Sequence, residues 1–135
     1  MKLTAMAGLW LQTGLIWFVL TMIFGMYLGI TQQLGASSPH AHLGLLGWLS
    51  SCAFALIHVL ADPEGSLAGR GRLHWITHNL GLIIQVASLW LIIRTGNSIY
   101  GMFVGVGGLI LILILTNLGF SAMVWRRLRS ESVRP

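Results

Sequence analysis

Ser38-Pro39-His40-Ala41-His42-Leu43-Gly44-Leu45-Leu46-Gly47-Trp48 is the stretch on which the reading of this chain turns. Ser38 is a good N-cap, and Pro39 suits a first helical residue, so a helix is predicted to start here. Its first turns carry two imidazoles. The residues after them are apolar or small. A histidine pair at the mouth of a greasy helix calls for an explanation.

The rest of the chain is as apolar as this stretch. Of 135 residues, 56% are hydrophobic and 8% charged, and the mean hydropathy is +0.81. A soluble globular domain carries about a quarter charged residues, so that class is excluded. The expected fold is all-α, an integral membrane four-helix bundle forming a single domain over 1–135. The formal net charge is +5, with basic residues gathered at the C-terminus. That pattern suits an anionic membrane surface, makes membrane lipid the expected partner, and gives no reason to invoke nucleic acid. The single cysteine, Cys52, lies in an apolar run and supports neither a disulfide framework nor a CxxC metal site. The N-terminal apolar stretch is too long for a signal-peptide core and reads as a retained span.

Four apolar runs are long enough to cross a bilayer: 7–31, 39–61, 74–93 and 99–125. The connections 32–38, 62–73 and 94–98 hold turn residues such as Gly35, Gly65 and Gly96. Arg126, Arg127 and Arg129, Arg70 and Arg72, and Lys2 fall on one side if both termini are cytoplasmic. Arg94 is then the basic residue left on the outer side.

Helical period sorts the faces. In the second span His40, Gly44, Gly47, Ser51, Ala55 and His58 form one stripe, with His42, Leu45, Leu46, Leu49, Ala53, Leu56 and Leu60 roughly opposite. His74, His78, Gly81, Gln85 and Ser88 share a face of the third span. Gly101, Gly105, Gly108, Thr116 and Gly119 share one of the fourth. Small and polar residues on one side belong in the bundle interior. Gly25-xxx-Gly29 and Gly101-xxx-Gly105 have helix-packing spacing, a weak signal in a chain with 17 glycines.

The histidines divide into two layers. His40 and His42 lie at the outer end. His58, His74 and His78 lie at the inner end, about 24 Å below on a 1.5 Å rise per residue. An intramembrane imidazole hydrogen-bonds, relays protons or binds a metal, commonly heme iron. His40 reads equally as an interfacial residue, and His58, His74 and His78 as buried polar contacts. His42 projects from a leucine face, where an unpartnered ring is expensive. Trp10, Trp75 and Trp125 read as an aromatic belt at the inner boundary, and Trp48 as packing. Met22, Met26 and Met102 read as apolar filler rather than thioether ligands.

His40-Ala41-His42-Leu43, followed by a glycine-rich segment and then by Leu73-His74-Trp75 with Gly81, resembles subunit I of the heme-copper oxidases. The likeness is to the cbb3-type and nitric-oxide-reductase-like branches, at their tenth and eleventh spans. Gly25-Met26-Tyr27-Leu28-Gly29 extends it to short four-span proteins of that kind. The resemblance implies a bacterial inner-membrane, multi-pass protein holding heme b. It implies His40 as ligand of a high-spin heme and His42 as ligand of a low-spin heme, on opposite faces because i and i+2 differ by about 200°. It implies Arg94 as a propionate partner. The family's counterpart of His74 binds no iron, and His78 and His58 have no counterpart there.

The histidines that hold copper in that family come from spans this chain lacks, as does the second ligand of the low-spin heme. Enzymatic oxygen reduction by one copy is therefore not expected. The expected function is electron transfer or sensing of a heme ligand such as O2 or NO. The alternatives are an accessory or assembly subunit of a respiratory complex, and a metal- or proton-handling protein built on His58, His74 and His78. A homo-oligomer or a respiratory-complex partner is expected, because a heme on the His42 face needs a cover.

Overall fold

The computed structural model describes residues 3–62, 64–66 and 68–115. These residues form four long helical segments and no strand. They are α1 (Ala5–Thr31), α2 (Leu34–Ala61), α3 (Ala68–Thr95) and α4 (Ile99–Leu115). The first three are long and apolar enough to cross a membrane. Thr116, Gly119, Trp125 and the C-terminal arginines lie outside the described residues.

Local chemistry sets the ends. Thr4 Oγ1 caps α1 by accepting the Ala7 N–H at 3.2 Å. Gln32 closes α1 in the left-handed region, at φ 55°, with its backbone N–H on the carbonyls of Gly29 and Leu28. Gly96, at φ +66°, ends α3, and Asn97 Oδ1 accepts the Ile99 N–H at the start of α4. At the opposite end of the bundle Asp62 accepts from both the backbone N–H and the hydroxyl of Ser66.

α2 starts earlier than Ser38. A 3-10 turn, Leu34–Ala36, runs into an α-helical turn, Ser37–His42, whose cap residue Ala36 makes no side-chain bond. Pro39 still falls in the first α-helical turn, where a missing N–H costs nothing. The next seven residues, Leu43–Leu49, form a π-helical turn before the α-helix resumes at Ser50–Ala61. The glycine-rich part of the opening stretch is thus wound one residue wider than an α-helix.

The helices pack as two pairs, α1 on α2 and α3 on α4. Hydrogen bonds between side chains join the pairs. The Trp17 indole donates to Asn79 Oδ1 at 2.8 Å, and the Trp75 indole donates to Thr13 Oγ1 at 2.8 Å. In a bilayer such bonds are worth about 0.6 kcal/mol each on average. The expected interior stripe of α2 is inside, with Gly47, Ser51, Ala55 and His58 buried, while Leu45, Leu49, Leu56 and Leu60 are exposed. The α3 stripe is inside too, from His74 to Ser88.

Two glycine readings are corrected. Gly107, not the Gly101–Gly105–Gly108 stripe, makes the close α3–α4 contact. A Cβ there would lie 2.8 Å from the Gln85 nitrogen and 2.9 Å from the Gly81 carbonyl oxygen. Gly105 is exposed. In α1, Gly25 faces the His40 ring of α2 and Gly29 faces open space, so the two do not act together in a seam within this chain.

Candidate functional site: two histidine layers joined by a π-helical turn

The two layers expected from the sequence are present, and they differ in character. At the Asp62 end, His58, His74 and His78 are all buried. They surround Trp10, whose ring lies 6.5 Å from that of His58, 5.0 Å from that of His74 and 5.4 Å from that of His78. Phe54 closes the cluster, 4.5 Å from His74 and 5.3 Å from His78. Packing on a common ring brings His58 and His78 into one site, in keeping with their matching depth and stripes. Trp10 is therefore no belt residue. It is fully buried, and it occupies the centre that a shared ligand of the three imidazoles would need. Among the described residues no three His, Cys, Asp or Glu side chains converge on a point that could hold a metal ion.

The polar atoms of this layer are unevenly served. His78 Nε2 lies 2.9 Å from the carbonyl oxygen of Leu46. A carbonyl only accepts, so Nε2 carries the proton and Nδ1 is left as an acceptor. That Nδ1 is buried without a hydrogen-bond partner among the described residues, as are Trp10 Nε1 and Ser51 Oγ. His58 fits against α3 only because Gly71 has no side chain: a Cβ there would stand 2.8 Å from His58 Cε1.

At the other end His40 and His42 point apart, as i and i+2 must. The His40 ring lies in a notch at Gly25, where an added Cβ would be 2.7 Å from Cε1, and it faces Phe24 with ring centres 6.3 Å apart. His42 is half-buried, and its Nδ1 lies 2.8 Å from the Ser38 carbonyl oxygen. A carbonyl only accepts, so here Nδ1 carries the proton and Nε2 presents a lone pair, which accepts a hydrogen bond or ligates a metal. Arg94 is exposed at this end. Its guanidinium donates to Gln33 Oε1 at 3.1 Å and lies over the Trp90 ring, 5.6 Å from its centre. An apolar cleft of about 300 Å³ between α1, α2 and α3 is lined by Trp17, Phe24, Leu43, Leu82, Val86 and Trp90 among others, with no histidine.

Helical period puts His40 and His58 on one stripe. They are eighteen residues apart, which is five turns of a straight α-helix. The π-helical turn removes that coincidence by about 100°, the angle of one residue. His40 lies against Gly25 of α1, while His58 lies between Trp10 of α1 and Gly71 of α3.

Sequence reasoning missed the role of Trp10 and the paired bonds Trp17–Asn79 and Trp75–Thr13. Trp10, Thr13, Trp17, Thr21 and Gly25 recur at steps of three and four along α1, so the signal was a polar-and-small stripe at helical period. Comparisons with protein-family models, with curated proteins and with solved structures return no match.

Proposed function

We propose that this protein is a membrane-embedded b-type heme protein in which His42 is an iron ligand, serving electron transfer or the sensing of a small heme ligand. The observation that carries this reading is the hydrogen bond from His42 Nδ1 to the Ser38 carbonyl oxygen. Metal-binding histidines characteristically donate their second ring N–H to a carbonyl, which fixes the tautomer and raises the basicity of the other nitrogen. His42 has that arrangement and presents Nε2 away from the helix that carries it.

The other residues suit the group. Arg94 stands at the same end with guanidinium donors beyond the one that Gln33 takes, as a propionate requires. His40 is turned into its Gly25 notch, so it does not share the His42 face. A second copy of the chain is the natural cover for a heme there, and the natural source of a second axial ligand. Both termini in the cytoplasm of a bacterial inner membrane is the orientation we adopt. Bound heme would supply one-electron redox chemistry or a site for a diatomic ligand; the chain supplies the axial nitrogen, the charge partner and the apolar surround.

The test is the absorption spectrum of the purified protein, oxidised and reduced. A Soret band with reduced α and β bands supports the reading. Protein that stays colourless after expression with heme supplied in excess refutes it.

A second reading has its own observation. Three buried imidazoles ring Trp10 near Asp62, and the unused hydrogen-bonding capacity of His78 Nδ1, Ser51 Oγ and Trp10 Nε1 lies in the same half of the bundle. That is the composition of a proton-handling site in a membrane. Proton flux through vesicles containing the protein, lost in His74→Phe, would favour it. An accessory role in a respiratory complex would show instead as co-purification with that complex, without heme of its own.

A further inference from the structure

The π-helical turn has an identifiable anchor. In an unbroken α-helix the Ser50 N–H would bond the Leu46 carbonyl. Here it bonds Leu45 instead, and the Ser50 hydroxyl adds a second bond to the same Leu45 oxygen at 3.0 Å. The Leu46 carbonyl loses its α-helical donor. The group that reaches it is His78 Nε2, from α3, at 2.9 Å. A carbonyl left bare in the middle of a bilayer is costly, so a wide turn persists where another group satisfies it.

The turn lies immediately after His42. Before it, His40 sits in the Gly25 notch of α1; within it, Gly44 lies against Thr21 and Gly47 against Trp17. Everything after it is indexed by Ser51 against Gly14 and His58 against Gly71. Rewinding the turn as α-helix would rotate the segment before it by about 100° relative to the segment after it. We propose that His78 is a positioning residue: its bond to the Leu46 carbonyl holds the π-helical turn and so sets the direction in which His40 and His42 project. The inner imidazole layer in this way controls the geometry of the outer one. The consequence for heme rests on the assignment of His42 as an iron ligand; the consequence for register does not.

Disulfide trapping separates the two, in a Cys52→Ser background. Thr21→Cys with Gly44→Cys reports the half before the carbonyl, since a Cβ at Gly44 lies 3.4 Å from Thr21 Cγ2. Gly14→Cys with Ser51→Cys reports the half after it, at 3.2 Å. In vesicles under mild oxidation both disulfides should form with His78 present. They should also form in His78→Gln, whose amide can donate to the carbonyl. In His78→Leu the upper disulfide should fall by about tenfold or more, because a rotation of one residue carries the sulfurs out of bonding range, while the lower one forms as before. Deleting Leu46 in the His78→Leu protein removes the extra residue, returns the span to an α-helix in register, and should restore the upper disulfide.

An upper disulfide unchanged in His78→Leu overturns the proposal. So does a loss of both disulfides that the deletion fails to reverse. The Soret band read on the same proteins should shift or vanish in His78→Leu and return in His78→Gln. Disulfides that behave as stated in a protein that never takes up heme would refute the heme reading alone. Heme on His42 with disulfides indifferent to His78 would refute the positioning role alone.

Discussion

His58 and Gly71 meet so closely that the imidazole fills the place of a side chain: a Cβ on Gly71 would stand 2.8 Å from His58 Cε1, and 3.2 Å from Met6 Cγ. The ring is fully buried, with Trp10 stacked at 6.5 Å, so it has little room to retreat. Gly71→Ala should therefore overpack this layer and destabilise the bundle by about 1–3 kcal/mol. Gly69, two residues earlier in the same helix, faces open space. Gly69→Ala should be neutral or stabilising by up to about 1 kcal/mol. Unfolding titrations of the two variants in detergent check the contrast. Equal effects would show that the His58 contact does not govern α3 packing.

The glycine pair of α1 calls for a similar comparison. If Gly25 and Gly29 formed a helix-dimer seam, alanine at either would loosen association. The structure instead gives Gly25 to His40 and leaves Gly29 open. Gly25→Ala should displace the His40 ring and destabilise the protein by about 1–3 kcal/mol, the usual cost of forcing extra volume into a packed site. Gly29→Ala should be neutral or stabilising by up to about 1 kcal/mol and leave the oligomeric state unchanged. Thermal unfolding and light scattering in detergent distinguish the two accounts.

Much of this arrangement is legible in the sequence, and the parts that are not share a cause. Runs of apolar residues, the α2 and α3 stripes and the two depths of histidine all come from helical period and length. The π-helical turn does not, because nothing in Leu43–Leu49 announces a wider winding. Its carbonyl is satisfied by His78, thirty-two residues away, and that pairing is a tertiary fact. Trp10 reads as an interfacial belt residue by its place near a span end, yet it is buried. Depth along the helix suggests the belt only while azimuth is ignored. The stripe Trp10 shares with Thr13, Trp17 and Thr21 points inward and holds the answer. Gly107 escapes notice because Gly101, Gly105 and Gly108 fit a familiar spacing.

Orientation rests on the arginines. Arg70 and Arg72 are exposed at the start of α3, and Arg94 is exposed at its other end. Two positive residues against one predict that the Arg70 end of α3 is cytoplasmic. Phosphatase and fluorescent-protein fusions after Arg70 and after Ser98 should report opposite sides, with Arg70 inside. The same side for both would refute the four-span arrangement. Opposite sides with Arg70 outside would refute only the direction.

The decisive comparison for function is between His42 and His74. His74 is buried against Phe54 and Trp10, with ring centres 4.5 and 5.0 Å away, and its surroundings are those of a packed core residue. His42 is half-buried, with Nδ1 tied to Ser38 and Nε2 left to act. His42→Ala should abolish the Soret band or turn a six-coordinate spectrum five-coordinate. Heme affinity should fall by more than about 100-fold, since even the supporting hydrogen bond of a metal-bound histidine is worth 10–100-fold. His74→Ala should open a cavity and lower stability by about 2–4 kcal/mol while the heme that remains keeps its spectrum. Arg94→Ala should weaken retention by about tenfold, the value of one charge-assisted hydrogen bond, without altering the axial ligands. Heme titrations and reduced spectra of the three variants give all of these numbers. An unaltered spectrum in His42→Ala, together with bleaching in His74→Ala, His78→Ala or His58→Ala, would move the cofactor to the inner layer. Trp10 would then have to leave the centre it occupies, and its fluorescence would report that displacement directly.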